Sequence, residues 1–334
     1  MDNRLTKRRL SDMLAYDWIV MIVTAIAVII VWELIYTVAG VRLTVGQEFK
    51  FYYDINIEEG SGNIYTLFDD EDVFSYDVLS VNSESLTTDV DVLTARLSVY
   101  EGDVLVTDFV EPAEDAEDKS VRLKTMVDNY GYSYEQMLKD AKAYLSGFMK
   151  DGVSGDINRT TYNLDNLDAQ KIEQSFRDRM KKDNRYRKEA QILDGVQEEK
   201  GRIEKLYLEV VKFDYLLSLK NTHSDLFYNY TRYEQAKSFN TENGYDLAYQ
   251  RELDNGREND VYALKLAGLA NYKSENGKEK DPSAYFKMKG KDDASNVAIM
   301  VFNFREQQPH LQYEVISFIN AIVSDCSNIY DIFN

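Results

Sequence analysis

Apolar residues fall into three patterns along this chain, and each pattern implies a different environment. The first is continuous. The run "YDWIVMIVTAIAVIIVWELIY", residues 16–36, has no charge over the fifteen positions 18–32. At about 1.5 Å per helical residue, 16–36 covers roughly 30 Å, the thickness of a bilayer's hydrocarbon core. Tyr16 and Trp18 at one end, with Trp32 and Tyr36 at the other, put amphipathic rings where two membrane–water interfaces would lie. Glu33 falls beside the outer belt. The pattern predicts a single-pass anchor over residues 16–39 that makes the lipid bilayer the first partner. Arg4, Lys7, Arg8 and Arg9 precede the run, while only Arg42 and Lys50 follow it closely. The positive-inside rule then leaves residues 1–15 as a cytoplasmic tail and the remainder outside the cell membrane. A cleaved signal peptide is the rival reading, with small residues at 38–40. The apolar region is longer than a signal core and contains Glu33, which favours the uncleaved anchor.

The second pattern has period 2. In "EFKFYYDINI", Phe49, Phe51, Tyr53, Ile55 and Ile57 share one face, and Lys50, Tyr52, Asp54 and Asn56 share the other, predicting a half-buried strand. After the acidic cluster 69–72 a second strand is expected at 74–81. Thr88 and Asp91 can form a capping box for a helix whose Val90, Leu93, Leu97 and Tyr100 face inward. Gly102 ends that helix, and residues 104–106 make a short buried strand closing on Asp108. Together residues 45–110 read as a β-α-β lobe with parallel strands. "NVAIMVFNF" is apolar at odd and even positions alike, as in a central strand covered on both faces. "VYALKLAGL" reads as a short strand ending in a turn.

The third pattern has helical period. Beyond an acidic connector at 111–120, helices are expected at 134–148, 167–193 and 196–219, within a helical subdomain over 120–250. In the last of these helices Ile203, Leu206, Val210, Phe213 and Leu217 recur in 3-4-3-4 spacing, predicting a helical hairpin or layer. Pro309 is expected to open a final helix with Leu311, Val315, Phe318, Ile322, Cys326, Ile329 and Phe333 on its inner stripe. Residues 255–334 would thus supply return strands and a C-terminal helix packed on the first lobe. Cys326, on that stripe, reads as a buried inert thiol.

Charge narrows the partners. The net charge of the chain is −19. Residues 1–33 hold four basic and four acidic side chains, so all of that charge belongs to the part beyond the apolar run. Such a surface repels phosphates, which argues against nucleic acid. A single cysteine excludes a disulfide framework, which suits a bacterial envelope protein. Two histidines cannot build the usual zinc sites, and no nucleophile elbow, phosphate loop or dinucleotide fingerprint is present. The expectation is a protein without catalytic activity, cofactor or metal. One segment departs from the acidic background: in "RDRMKKDNRYRK", residues 177–188, seven of twelve side chains are basic, namely Arg177, Arg179, Lys181, Lys182, Arg185, Arg187 and Lys188. Such a stretch either pairs with the protein's own carboxylates or contacts anionic headgroups and wall polymers.

"FKFYYDI", "FSYDVLSV", "LTARLSVYEGDVLVTD" and "VYALKLAGL", together with "NVAIMVFNF" and "LQYEVISFINAIV" near the C-terminus, resemble the extracellular solute-binding proteins of bacterial ABC importers. The resemblance covers about half the chain. It implies an α/β (α+β) ectodomain of β-α-β lobes, here with a large helical insertion and an N-terminal transmembrane helix. It also implies a small polar ligand, such as a sugar or peptide, and an ABC permease as partner. Ligands of such proteins sit at strand ends facing a cleft, and the matching positions are Tyr52, Asp54 and Asp108. The family is usually lipid-linked or free, and this chain departs from it by its helical anchor and its short external part. The alternative is a structural or assembly protein whose helical layer, through the 203–217 stripe, contacts another envelope protein.

Overall fold

Helix α1, Trp18–Ala39, opens the computed structural model. The structure describes residues 18–39, 47–54, 56–62, 64–65, 73–74, 78–86, 102–108, 131–153, 155–181, 183, 185–230, 260–274, 277–302 and 313–333. The chain divides into two compact units, residues 1–44 and 45–334. In the first unit α1 has no inward face: its large apolar residues from Trp18 to Trp32 are 48% to 68% exposed. A helix apolar on every side suits an apolar surrounding better than water. Its side chains are described without a break only over 22–33, and among the described residues no helix is long and apolar enough to cross a membrane. Tyr16 lies outside the described residues, as does the side chain of Tyr36.

The second unit is mixed α/β. Strands β1 (Glu48–Asp54), β3 (Ser80–Leu86), β4 (Val104–Asp108), β5 (Phe227–Tyr230), β6 (Asp260–Lys265) and β8 (Val297–Val301) form one sheet in the order β3-β1-β4-β8-β6-β5. β1 runs parallel to both neighbours, with Phe49 opposite Val81 and Tyr52 opposite Leu105, whereas β4–β8, β8–β6 and β6–β5 are antiparallel. β3 and β4 therefore run parallel to each other with β1 between them. The helix expected at 88–100 lies outside the described residues. A separate antiparallel ribbon pairs β2 (Ile57–Glu59) with β7 (Phe286–Met288).

Three strand expectations change. The second strand spans 80–86 instead of 74–81. Its sequence, SVNSESL, has little apolar signal because β3 is the last strand of the sheet and is held by backbone pairing to β1. The first strand ends at Asp54, and Ile57 belongs to β2. The face of β1 expected to be polar and half exposed is covered too, since Tyr52 and Asp54 are 0% and 2% exposed. As an internal strand β1 is buried on both sides. Gly102, at φ +112°, lets the chain pass under Tyr52, whose ring would stand 2.5 Å from a Cβ there. All five residues of β8 are buried, as a central strand requires.

One face of the sheet is built around α2 (Tyr134–Ser146), α4 (Glu189–Ser218) and α6 (Glu314–Cys326). Ser133 caps α2, accepting from the Gln136 backbone N–H at 3.2 Å. The inner residues of α2 include Tyr134, whose hydroxyl donates to the Ile299 carbonyl of β8 at 2.8 Å. α6 lies between the sheet and α4. On one side its Phe318 stacks against Phe49 and Phe51 of β1 at 5.2 and 6.2 Å between ring centroids. On its other side Asn320 reaches α4, donating to the Glu209 carbonyl oxygen at 2.8 Å. The 203–217 stripe of α4 is at most 6% exposed, covered by α2 and α6. In this structure the stripe is part of the core.

Residues 167–193 do not form one helix. α3 (Ala169–Met180) ends before a turn, and α4 starts at Glu189. In the turn the Asp183 carboxylate accepts from the Arg185 backbone N–H at 2.8 Å, a local bond that competes with helix continuation. α3 and α4 approach closely at Gly195, where a Cβ would stand 2.4 Å from the Phe176 ring. α6 begins at Glu314 and ends at Cys326, so Ile329 and Phe333, although in phase with its stripe, lie past its end. Pro309 and Leu311 are outside the described residues.

Cys326 is fully buried, and burial pushes its thiol up to about 12. Native protein should therefore resist maleimide, with labelling only as the fold opens. Phe318→Ala removes a buried ring and should destabilise by about 3–5 kcal/mol. The expected readout is Cys326 labelling at a correspondingly lower urea concentration; an unchanged labelling midpoint would refute the placement of Phe318.

Candidate functional site

The three residues matched to a ligand site are only partly brought together. Asp54 and Asp108 end neighbouring parallel strands, so both stand at the C-terminal end of the sheet, where open α/β sheets bind ligands. Asp54 is buried and its carboxylate accepts from the Asn56 backbone N–H at 3.4 Å; Asp108 is half-buried. Tyr52 points into the covered face of the sheet, 6.4 Å from the Phe302 ring centroid. It packs the sheet instead of presenting a stacking surface.

The basic stretch meets the chain's own carboxylates. Arg177 bonds Glu189 at 2.6 Å and Glu173 at 2.9 Å, Lys181 bonds Asp178 at 2.7 Å, and Arg185 bonds Asp183 at 2.8 Å. Arg179 reaches inward to Glu199 at 2.9 Å. Arg187 and Lys188 lie in the turn leading into α4, and Lys182 is outside the described residues. Of the two readings of this segment, the ion pairs favour the intramolecular one.

Arg179 belongs to a buried network. Arg202 of α4 donates through Nε and Nη2 to the two oxygens of Glu199, both at 2.9 Å. Its Nη2 also donates to the Tyr144 hydroxyl at 2.6 Å, and its Nη1 stands 3.5 Å from Glu314 Oε1. Two arginines and two glutamates cancel, which is the condition under which such burial is tolerated. Burial alone would lower the Arg202 pKa, but the facing Glu199, Tyr144 and Glu314 hold it well above the ordinary range. The cluster ties α2, α3, α4 and α6 together and opens on no cavity described here.

A groove of about 600 Å³ between α2 and the C-terminal part of α4 is the best candidate site. On α2, Glu135, Leu138, Lys139, Lys142 and Ser146 fall at helical spacing on one row, beside the core row of Tyr134, Met137, Ala141 and Leu145. Asp214, Leu217 and Ser218 of α4, with Lys220 just beyond, face them. Two ion pairs span the helices: Lys142 to Asp214 at 2.6 Å and Lys220 to Glu135 at 2.8 Å. The other oxygen of Glu135 accepts from the Val261 backbone N–H at 2.8 Å, anchoring the groove to β6. Burial raises the Glu135 carboxyl above its ordinary range and nearby Asp260 adds repulsion, partly offset by the bonds from Lys220 and Val261.

Two serines complete the polar lining of the groove. Both hydroxyls are engaged with backbone, Ser146 to the Ala143 carbonyl at 2.7 Å and Ser218 to the Tyr215 carbonyl at 2.6 Å. Among the described residues no group of His, Cys, Asp and Glu is arranged to take a metal ion. Tyr52, Asp54 and Asp108 do not line it. In the sequence the groove-lining positions carry one signal, Leu138, an apolar residue near Lys139 and Lys142 and off the buried row of Tyr134, Met137, Ala141 and Leu145. In comparison with known proteins, the chain matches no family model, and no curated protein or solved structure is significantly similar to it.

Replacing Arg202 by Met should cost about 3–5 kcal/mol, because buried Glu199 and Glu314 both lose the guanidinium that faces them, although Arg179 still reaches Glu199. Adding Glu314→Gln should restore part of that loss, and denaturant midpoints of the single and double variants check it. Glu135 yields a pH prediction. A carboxyl whose folded pKa is raised binds its proton more tightly in the folded state, so its contribution to stability is lost as pH rises from about 4.5 through the folded value. Glu135→Gln should therefore gain on the wild type as pH is raised from 4.5 to 7 in urea titrations; a constant difference would refute the shift.

Proposed function

We propose that this chain is a membrane-anchored, extracytoplasmic binding protein without catalytic activity, and that its recognition surface is the groove between α2 and α4. The groove carries the reading. Its volume lies within the roughly 300–1,000 Å³ of small-molecule sites, and it combines apolar surface with a few charged groups that can fix orientation. The anchor is supported by the unbroken apolar run, the tryptophans at 18 and 32, and the absence of any inward face on α1. The basic residues before that run support a cytoplasmic N-terminus and an acidic domain outside. In this reading the bilayer holds the protein in place. The resemblance to importer solute-binding proteins, carried by the parallel strands and the final strand–helix pair, supports a permease as the downstream partner. The ligand position shifts from the strand ends to the helical groove, because Tyr52 is buried within the sheet.

Two measurements test the proposal. Protease added to intact cells should degrade the acidic domain and spare a short N-terminal fragment; protection of the whole chain until lysis would overturn the topology. Full-length protein in nanodiscs should bind small amphipathic probes saturably. Ala143→Trp, at an exposed position lining the groove, should abolish that binding while leaving the melting temperature within about 2 °C, as expected for a surface change.

A further inference from the structure

We infer that the groove between α2 and α4 selects an anion with an apolar body, such as an aryl or short acyl carboxylate; this rests on the binding reading of the same groove. The whole chain carries −19, yet three lysines and two carboxylates line this site, a local balance of +1. The balance is unevenly distributed. Lys142 and Lys220 are committed to Asp214 and Glu135, at 2.6 and 2.8 Å. Lys139 is exposed on the same row of α2, one turn from Glu135, and makes no ion pair with any described residue. The unneutralised charge of the groove is therefore one ammonium at its rim.

Beneath that ammonium the surface is hydrocarbon. Leu138, Ala143 and Leu217 provide it, and the lysine stems extend it, since long basic side chains lay their methylenes along apolar surface. A ligand that satisfies both parts carries one negative charge at the end of an apolar body. A cation would meet Lys139 with repulsion and would have to displace Lys142 or Lys220 to reach a carboxylate. A neutral molecule would use the hydrocarbon and leave the ammonium in water. The remaining acidic surface does not cancel the preference, because at physiological ionic strength charges beyond about 8 Å are largely screened.

A charge series of one shape tests the inference: 4-phenylbutyrate, 4-phenylbutanol and 4-phenylbutylamine, titrated calorimetrically into full-length protein in nanodiscs at physiological salt. Ala143→Trp serves as the blank for partitioning into lipid. The expected order is anion over alcohol over amine, with the anion about fivefold tighter than the alcohol, the factor an exposed ion pair supplies. Lys139→Glu should remove the anion's advantage and favour the amine, while the alcohol's affinity stays the same. Equal binding of all three probes overturns the anion inference and leaves the groove as a binding site. Binding by none of them, or binding that Ala143→Trp does not alter, overturns the groove reading itself.

Discussion

Burial of α6 along all but its last turn, where Ser324 is exposed, is the constraint on which the rest of this structure depends. A helix enclosed between a sheet and another helix must satisfy each polar group it carries without water. Glu314 opens α6 and is met by Arg202. Asn320 donates to both the backbone and the carboxylate of Glu209 and accepts from the Tyr330 hydroxyl. Ser327 turns its hydroxyl back to the Val323 carbonyl. The opposite side of the helix is apolar, with Phe318 against the rings of Phe49 and Phe51 of β1.

The demand passes outward from α6. Arg202 can sit beside Glu314 only because Glu199 shares its charge, and Glu199 in turn draws Arg179 inward from α3. A stretch that looks like a surface for anions thus spends one of its arginines on the core, and its other paired side chains on neighbouring carboxylates. The arrangement fixes α4 along its length against α2, α3 and α6. Its C-terminal end then stands beside α2 at a separation that the core sets, and the groove is the space left between them.

That origin makes the groove stiff. Its walls are two helices held by packing behind and by two cross-helix ion pairs in front. The hydroxyls that line it are occupied by backbone bonds, and its carboxylates are paired with lysines. What the site presents is hydrocarbon and one ammonium.

Much of this was legible in the residues. The two-faced apolar strand at 297–301 and the 203–217 stripe each report a local environment through spacing alone, because periodicity follows directly from helix and strand geometry. The same spacing says that a face is covered and never by what. The stripe of α4 meets helices of its own chain, the second face of β1 is closed over Tyr52 and Asp54, and a serine-rich segment with almost no apolar pattern becomes the strand β3 by pairing with β1. Charge behaves likewise: composition shows an acidic chain with one basic stretch, but pairing is a matter of distance. Local pattern therefore determined the core helices and the central strand, while the tertiary structure made a strand of β3 and decided what lies against each side, since contacts between residues far apart in the chain leave no periodic trace in it.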